Sequence, residues 1–124
     1  EVCRVLATLA LDRFAVGLQA AFPFVGGCAR RSQITHGVEF LVHGNDEDYN
    51  CHVRTADCGW YDQSYRATFR AAPRWQTIRL PWTGFTPNDL AVPLNPAKIQ
   101  RIALLGWMRE FTADIALAEV ALYA

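Results

Sequence analysis

Three short stretches in the middle of the chain carry the residue types that acid–base or ligand-binding chemistry needs. They are Glu39-Phe-Leu-Val-His43, Asn50-Cys-His-Val-Arg54 and Arg66-Ala-Thr-Phe-Arg70. In the last two the polar residues recur at every second position, and in the first Glu39 and His43 stand four apart with Leu41 between them. In a strand that spacing puts them on one face and the intervening apolar residues on the other. If the three polar faces coincide, one groove holds Glu39, His43, Asn50, His52, Arg54 and Arg66. In an enzyme, Glu39 and His52 would then serve as a general acid/base pair, with Arg54 or Arg66 holding an anionic group. The competing reading is an ordinary solvated sheet face laced with cross-strand ion pairs.

Metal chemistry has less to work with. His43, His52 and Glu39 would suffice as three zinc ligands, but their spacing is generic, and no metal site is assigned. Asp46, Glu47 and Asp48 lack the ordered spacing of a dedicated calcium loop and read as a solvated turn. No cofactor is expected, and calcium is the one ion left open. The aromatic residues Trp60, Tyr61, Trp82 and Trp107 could stack on a sugar ring or on a hydrophobic ligand. Trp60 and Tyr61, beside Gly59 in a loop, and Trp107, at a strand end, are the candidates retained. Trp75 and Phe85 are assigned to the core. No Gly-x-Ser-x-Gly elbow and no phosphate-binding glycine loop is present, so nucleophilic catalysis has little support.

The elements that must position these residues are strands. Leu9 and Leu11, then Val16 to Phe22, alternate around an Asp12-Arg13 turn, and Pro23 closes the second run. Val38, Phe40 and Val42 define a third strand. Gly44 to Asp48 is a turn cluster, and Tyr49 to Thr55 alternates again, so this pair is expected to form a hairpin. Tyr65 to Phe69 follows a loop. In Trp75-Gln-Thr-Ile-Arg-Leu-Pro81, Ile78 and Leu80 alternate with Thr77 and Arg79, and Pro81 stops the ladder because it has no amide hydrogen to donate. Phe85 is placed to fold back as a plug. A Pro-rich loop leads to Asn95-Pro96, the signature of a single helical turn near Lys98. Ile99 to Trp107 and Ile115 to Leu122 complete the set, with a bulge expected where the phase changes between Leu117 and Val120. Seven or eight short strands and no long helix predict an all-β sandwich of two antiparallel sheets.

The totals narrow the classes. A chain of 124 residues that is 52% hydrophobic is one domain, 1–124, with a real core. Lys plus Arg and Asp plus Glu are both 12, which argues against a nucleic-acid partner. Lys98 is the sole lysine, so nearly all positive charge is guanidinium, suited to planar anions. No run is long enough for a membrane span. The opening Glu1-Val-Cys-Arg-Val has no basic-then-apolar layout. Cys3, Cys28, Cys51 and Cys58 form no CxxC pair, so free thiols in a cytoplasmic protein are expected, with secretion left open. Cys51 and Cys58 are the one pair spaced for a bridge.

Several segments together resemble the CIA30 family. These are Gly26-Gly-Cys-Ala-Arg-Arg-Ser32, the strand from Tyr49, Tyr65-Arg-Ala-Thr-Phe69, Trp75 to Pro81, Gly84-Phe85 and Ile99-Gln-Arg-Ile102. The resemblance spans roughly residues 26 to 122. It implies a galactose-binding-domain-like jelly roll and a non-catalytic binding or assembly module that holds a protein partner on a concave sheet face or its loops. Two alternatives stay open. One is a carbohydrate-binding module with the aromatics on sugar. The other is a small cyclase or isomerase with a hydrophobic groove and the Glu39/His52 pair. A fold shared by many functions does not choose among them.

Overall fold

The computed structural model describes residues 4–11, 19–23, 35–60, 62–105 and 114–123. Nine strands run through them: β1 Arg4–Leu11, β2 Gln19–Pro23, β3 Gly37–His43, β4 Glu47–Thr55, β5 Ser64–Ala71, β6 Gln76–Pro81, β7 Thr86–Asn88, β8 Ile99–Leu105 and β9 Ile115–Tyr123. They form two antiparallel sheets. One has four strands in the order β1-β9-β3-β6; the other has five, in the order β2-β8-β4-β5-β7. The predicted jelly-roll sandwich is what the chain forms.

Alternation builds the core. Val38, Phe40 and Val42 of β3 face Tyr49, Cys51 and Val53 of β4 and Tyr65 and Phe69 of β5, all buried. Phe40 and Phe69 meet edge to face across the two sheets, 4.9 Å between centroids, a favoured aromatic geometry. Each such side chain contributes about 1.5–3 kcal/mol by leaving water. Pro81 ends β6 as expected. A 3-10 turn, Trp82–Gly84, follows, and Phe85 folds back against Trp82 at 5.7 Å.

Trp82 is not a stacking platform for a ligand. It is buried, and its Nε1 donates to Thr35 Oγ1 at 3.1 Å. Trp75, assigned to the core from sequence, is instead 50% exposed. It lies just ahead of β6, which is an edge strand paired only with β3, and its ring sits against His43.

Two local expectations hold in detail. Asn95 Oδ1 accepts from the Ala97 amide at 3.0 Å, capping the 3-10 turn Pro96–Lys98. The phase change in β9 is a bulge: Leu41 opposes Glu119 while Val42 opposes Leu117, leaving Ala118 unmatched. Within the loop read as irregular, β7 adds a short strand at the edge of β5.

A further expectation fails, and it governs the site. β3 and β4 are consecutive and alternate cleanly, but they do not pair. β3 belongs to the four-stranded sheet and β4 to the five-stranded one. The Gly44–Asp46 connection crosses the sandwich instead of turning a hairpin. Gly44 makes the crossing possible, because a Cβ there would collide with the Ala71 Cβ and would lie 2.5 Å from the Ala71 carbonyl oxygen. The amides of Gly44 and Asp46 are tied to the carbonyls of Ala72 and Ala71 at 2.9 and 2.7 Å. Asp46 takes a positive φ of 64°, which Asp tolerates better than most residues. β1 and β2 likewise lie in different sheets; residues 12–18, with the Asp12-Arg13 turn, lie outside the described residues.

Candidate functional site

Because β3 and β4 sit in opposite sheets, the two polar faces read as one groove are on opposite outer surfaces. Glu39 and His43 belong to the outside of the four-stranded sheet. Asn50, His52, Arg54 and Arg66 belong to the outside of the five-stranded sheet. The Glu39/His52 acid/base pair therefore does not form, and a metal site from Glu39, His43 and His52 does not form either. Glu39 instead opposes Arg79 in register and pairs with it at 2.9 Å, while the Arg79 guanidinium lies 4.9 Å from the Tyr123 ring centroid. A depression of about 120 Å³ on that side is lined by Glu39, Phe40, Leu41, Thr77 and Glu119.

The outer face of the five-stranded sheet is the better-built surface. The ladder arranges it in rows, since residues directly opposite in an antiparallel pair share a face. Leu105, Asn50 and Thr68 form one row; Ala103, His52, Arg66 and Thr86 the next; Arg101 and Arg54 a third. Thr68 Oγ1 donates to Asn50 Oδ1 at 3.0 Å. Arg66 is held from two sides: Nε donates to Ser64 Oγ at 2.9 Å, and Nη2 reaches Asp62 Oδ1 at 3.4 Å. Arg54 Nη1 donates to the Trp60 carbonyl at 3.0 Å. That bond ties the 56–63 loop to the sheet.

The loop is anchored on its other flank by Asn88 Nδ2 donating to the Asp62 carbonyl at 2.9 Å and Gln63 Nε2 to the Asp89 carbonyl at 2.8 Å. Trp60 is presented at the loop's tip, 45% exposed.

Along β8 the face is covered at one end and open at the other. Leu105 and Ala103 point away from the sandwich core and yet are buried. Arg101, two residues along, is exposed. Between them His52 is partly buried, and its pKa is lowered from 6.5 to about 4, first by burial and then by the Arg66 guanidinium, with Asp62 opposing. His52 is thus a neutral imidazole at pH 7, able to donate from one ring nitrogen and accept at the other. At the far end Arg70 bridges Asp46 at 3.2 Å and Asp48 at 3.5 Å, which occupies two of the three turn acids that suggested calcium.

Among the sequence candidates, Asn50, His52, Arg54, Arg66 and Trp60 are brought together; Glu39 and His43 are not. Tyr61 and Trp107 lie outside the described residues. Sequence reading missed Arg101, Ser64 and Asn88. Arg101 was hidden by a bulge: Thr55 opposes Ile99 while Arg54 opposes Arg101, so Gln100 breaks the alternation that would have marked it. The suggested Cys51–Cys58 bridge is absent; both thiols are free. Cys51 points into the core, and burial raises its pKa strongly.

The strand order and the outward polar face define a class: a galactose-binding-like jelly roll of the kind seen in carbohydrate-binding modules. Among solved structures, the chain is similar to the family 11 carbohydrate-binding module of the cellulosomal cellulase Lic26A-Cel5E of Clostridium thermocellum. That match has a TM-score of 0.71 at 9% identity and covers 100% of this chain and 86% of that one. The family 11 module from the same organism in complex with a β-1,3-1,4-mixed-linked tetrasaccharide gives 0.70 at 9% identity, over 100% and 88%. The family 30 module of the Clostridium thermocellum cellulosomal cellulase Cel9D-Cel44B gives 0.56 at 12%, over 91% and 73%. At these identities the likeness is one of fold. No curated protein matches the chain by sequence. The family model for complex I intermediate-associated protein 30 (CIA30) matches residues 29–115, and the chain belongs to that family.

Proposed function

We propose that this chain is a non-catalytic binding module that takes a saccharide on the outer face of its five-stranded sheet. The observation that carries the reading is the exposed Trp60 indole, fixed through its own backbone to Arg54 at the open end of a hydrogen-bonding face. An indole offers a flat apolar surface to a sugar ring, and Asn50, Thr68 and Arg66 offer the donors and acceptors that hydroxyl groups need. A structural neighbour seen with a bound tetrasaccharide supports the same use of the fold. The enzyme reading loses its motive, because it rested on Glu39 and His52 acting together. Arg70 taking Asp46 and Asp48 favours binding that needs no calcium.

Affinity electrophoresis through soluble polysaccharides, mixed-linked β-glucan included, tests the reading. Retardation in at least one polymer is expected. It should be weakened about tenfold or more by Trp60→Ala and unchanged by a chelator. Retardation that Trp60→Ala leaves untouched refutes the assignment of this face. The second reading, a module that holds a protein partner, is favoured by family membership. It gains if no polymer retards the chain.

A further inference from the structure

We infer that the ligand of this face carries an anionic group, a carboxylate or a sulfate, and that Arg54 and Arg101 hold it. The inference rests on the saccharide reading above and names the class of saccharide.

The evidence begins with register. Arg54 and Arg101 are directly opposed across the β4–β8 ladder on the outer face. Like charges in that position repel, because directly opposite Cβ atoms lie only about 4.5–5.5 Å apart. Exposed Arg74 has no ion pair, but three other described arginines meet carboxylates: Arg66 meets Asp62, Arg70 meets Asp46 and Asp48, and Arg79 meets Glu39. The opposed pair does not. Arg54 gives one Nη1 hydrogen bond to the Trp60 carbonyl. Among the described residues the Arg101 side chain makes no ion pair or hydrogen bond.

The local balance is uneven as well. Among the described residues, the rows hold Arg54, Arg66 and Arg101 and no carboxylate of their own, and the loop's Asp62 pairs with Arg66, in a chain whose formal net charge is +0. Position completes the picture. The uncompensated pair lies at the open end of the face, next to exposed Trp60. A ring stacked on Trp60 could present a charged substituent to both guanidinium forks. A planar carboxylate matches that arrangement through paired N–H···O bonds, and a sulfate oxygen set does so nearly as well. The neutral His52 beside them adds no competing cation at pH 7.

Isothermal titration and affinity electrophoresis with polygalacturonate and its carboxyl-reduced counterpart test this, with dextran sulfate and dextran as a second pair. The acidic member of at least one pair is expected to bind about tenfold more tightly than its neutral partner at low salt. Which pair responds identifies the anion as carboxylate or sulfate. Arg101→Gln should erase the preference without lowering the melting temperature, since the side chain is exposed and unpaired. Arg79→Gln, on the opposite sheet, should retain it. Equal binding of acidic and neutral polymers overturns the anion site and leaves the saccharide reading standing. So does a preference that survives Arg101→Gln, or one that Arg79→Gln abolishes equally. Binding to no polymer, acidic or neutral, overturns both.

Discussion

His52 should make this protein lose stability in mild acid by an amount that one substitution can isolate. In the folded chain its imidazole takes up a proton only near pH 4, against 6.5 ordinarily. The cause is first its burial on the outer face, then the adjacent Arg66 guanidinium; Asp62 works the other way. The sign follows from proton counting. Between those two pH values the unfolded chain binds the proton and the folded chain does not, so stability rises with pH across the window and is level above it. At about 1.4 kcal/mol per pH unit, the gap sets a ceiling of about 3 kcal/mol. His52 is only partly buried and its charge is therefore screened, so about half of that, roughly 1–2 kcal/mol, is the expected loss between pH 7 and pH 4.5. Urea unfolding of the wild type and of His52→Gln at both pH values measures it. Carboxylates titrate in both proteins and cancel in the comparison. The wild type should lose roughly 1–2 kcal/mol more than the variant. Equal losses, or an imidazole NMR titration with its midpoint near 6.5, would refute the reasoning.

Three other perturbations follow from the packing. Tyr49 is buried, and its hydroxyl donates to Asn45 Oδ1 at 2.7 Å and accepts from the Asp114 amide at 2.9 Å. Tyr49→Phe should therefore cost about 1–3 kcal/mol in urea unfolding. Gly44→Ala places a methyl on Ala71 of the neighbouring strand, and should leave little soluble folded protein, read by circular dichroism, whereas Gly59→Ala, with only the Gln63 side chain nearby, should be mild. Iodoacetamide followed by peptide mapping should label Cys58, which is partly exposed, and spare Cys51 until the chain is unfolded; equal labelling of the two in the native state would contradict the packing of β4.

Much of the fold was legible because strand structure writes itself into sequence at short range. Val38-x-Phe40-x-Val42 and Tyr49-x-Cys51-x-Val53 give period-two faces that burial then obeys. Asn95-Pro96 marks a turn by its own capping geometry, and Pro81 ends a strand for want of a donor. Within β3, β4 and β5, the division between core side and outer side was likewise readable. The failures lie one level up. Alternation says which residues share a face of one strand, and it is silent about which strand lies alongside. The turn chemistry of Gly44 to Asp48 fits a hairpin and an inter-sheet crossing equally well, and the close approach of Gly44 to Ala71 decides between them. From that single difference Glu39 and His43 pass to one side of the molecule and His52 to the other, and the supposed catalytic pair dissolves. Bulges erase the alternation itself, which is why Arg101 was invisible until its opposition to Arg54 was seen.

The sequence by itself determined an all-β chain, the bounds of most strands, the inward residues of β3, β4 and β5 and most of the polar side chains available for binding. Only the tertiary structure decided which of them stand together. Pairing is set by contacts between residues far apart in the chain, and no local preference encodes those.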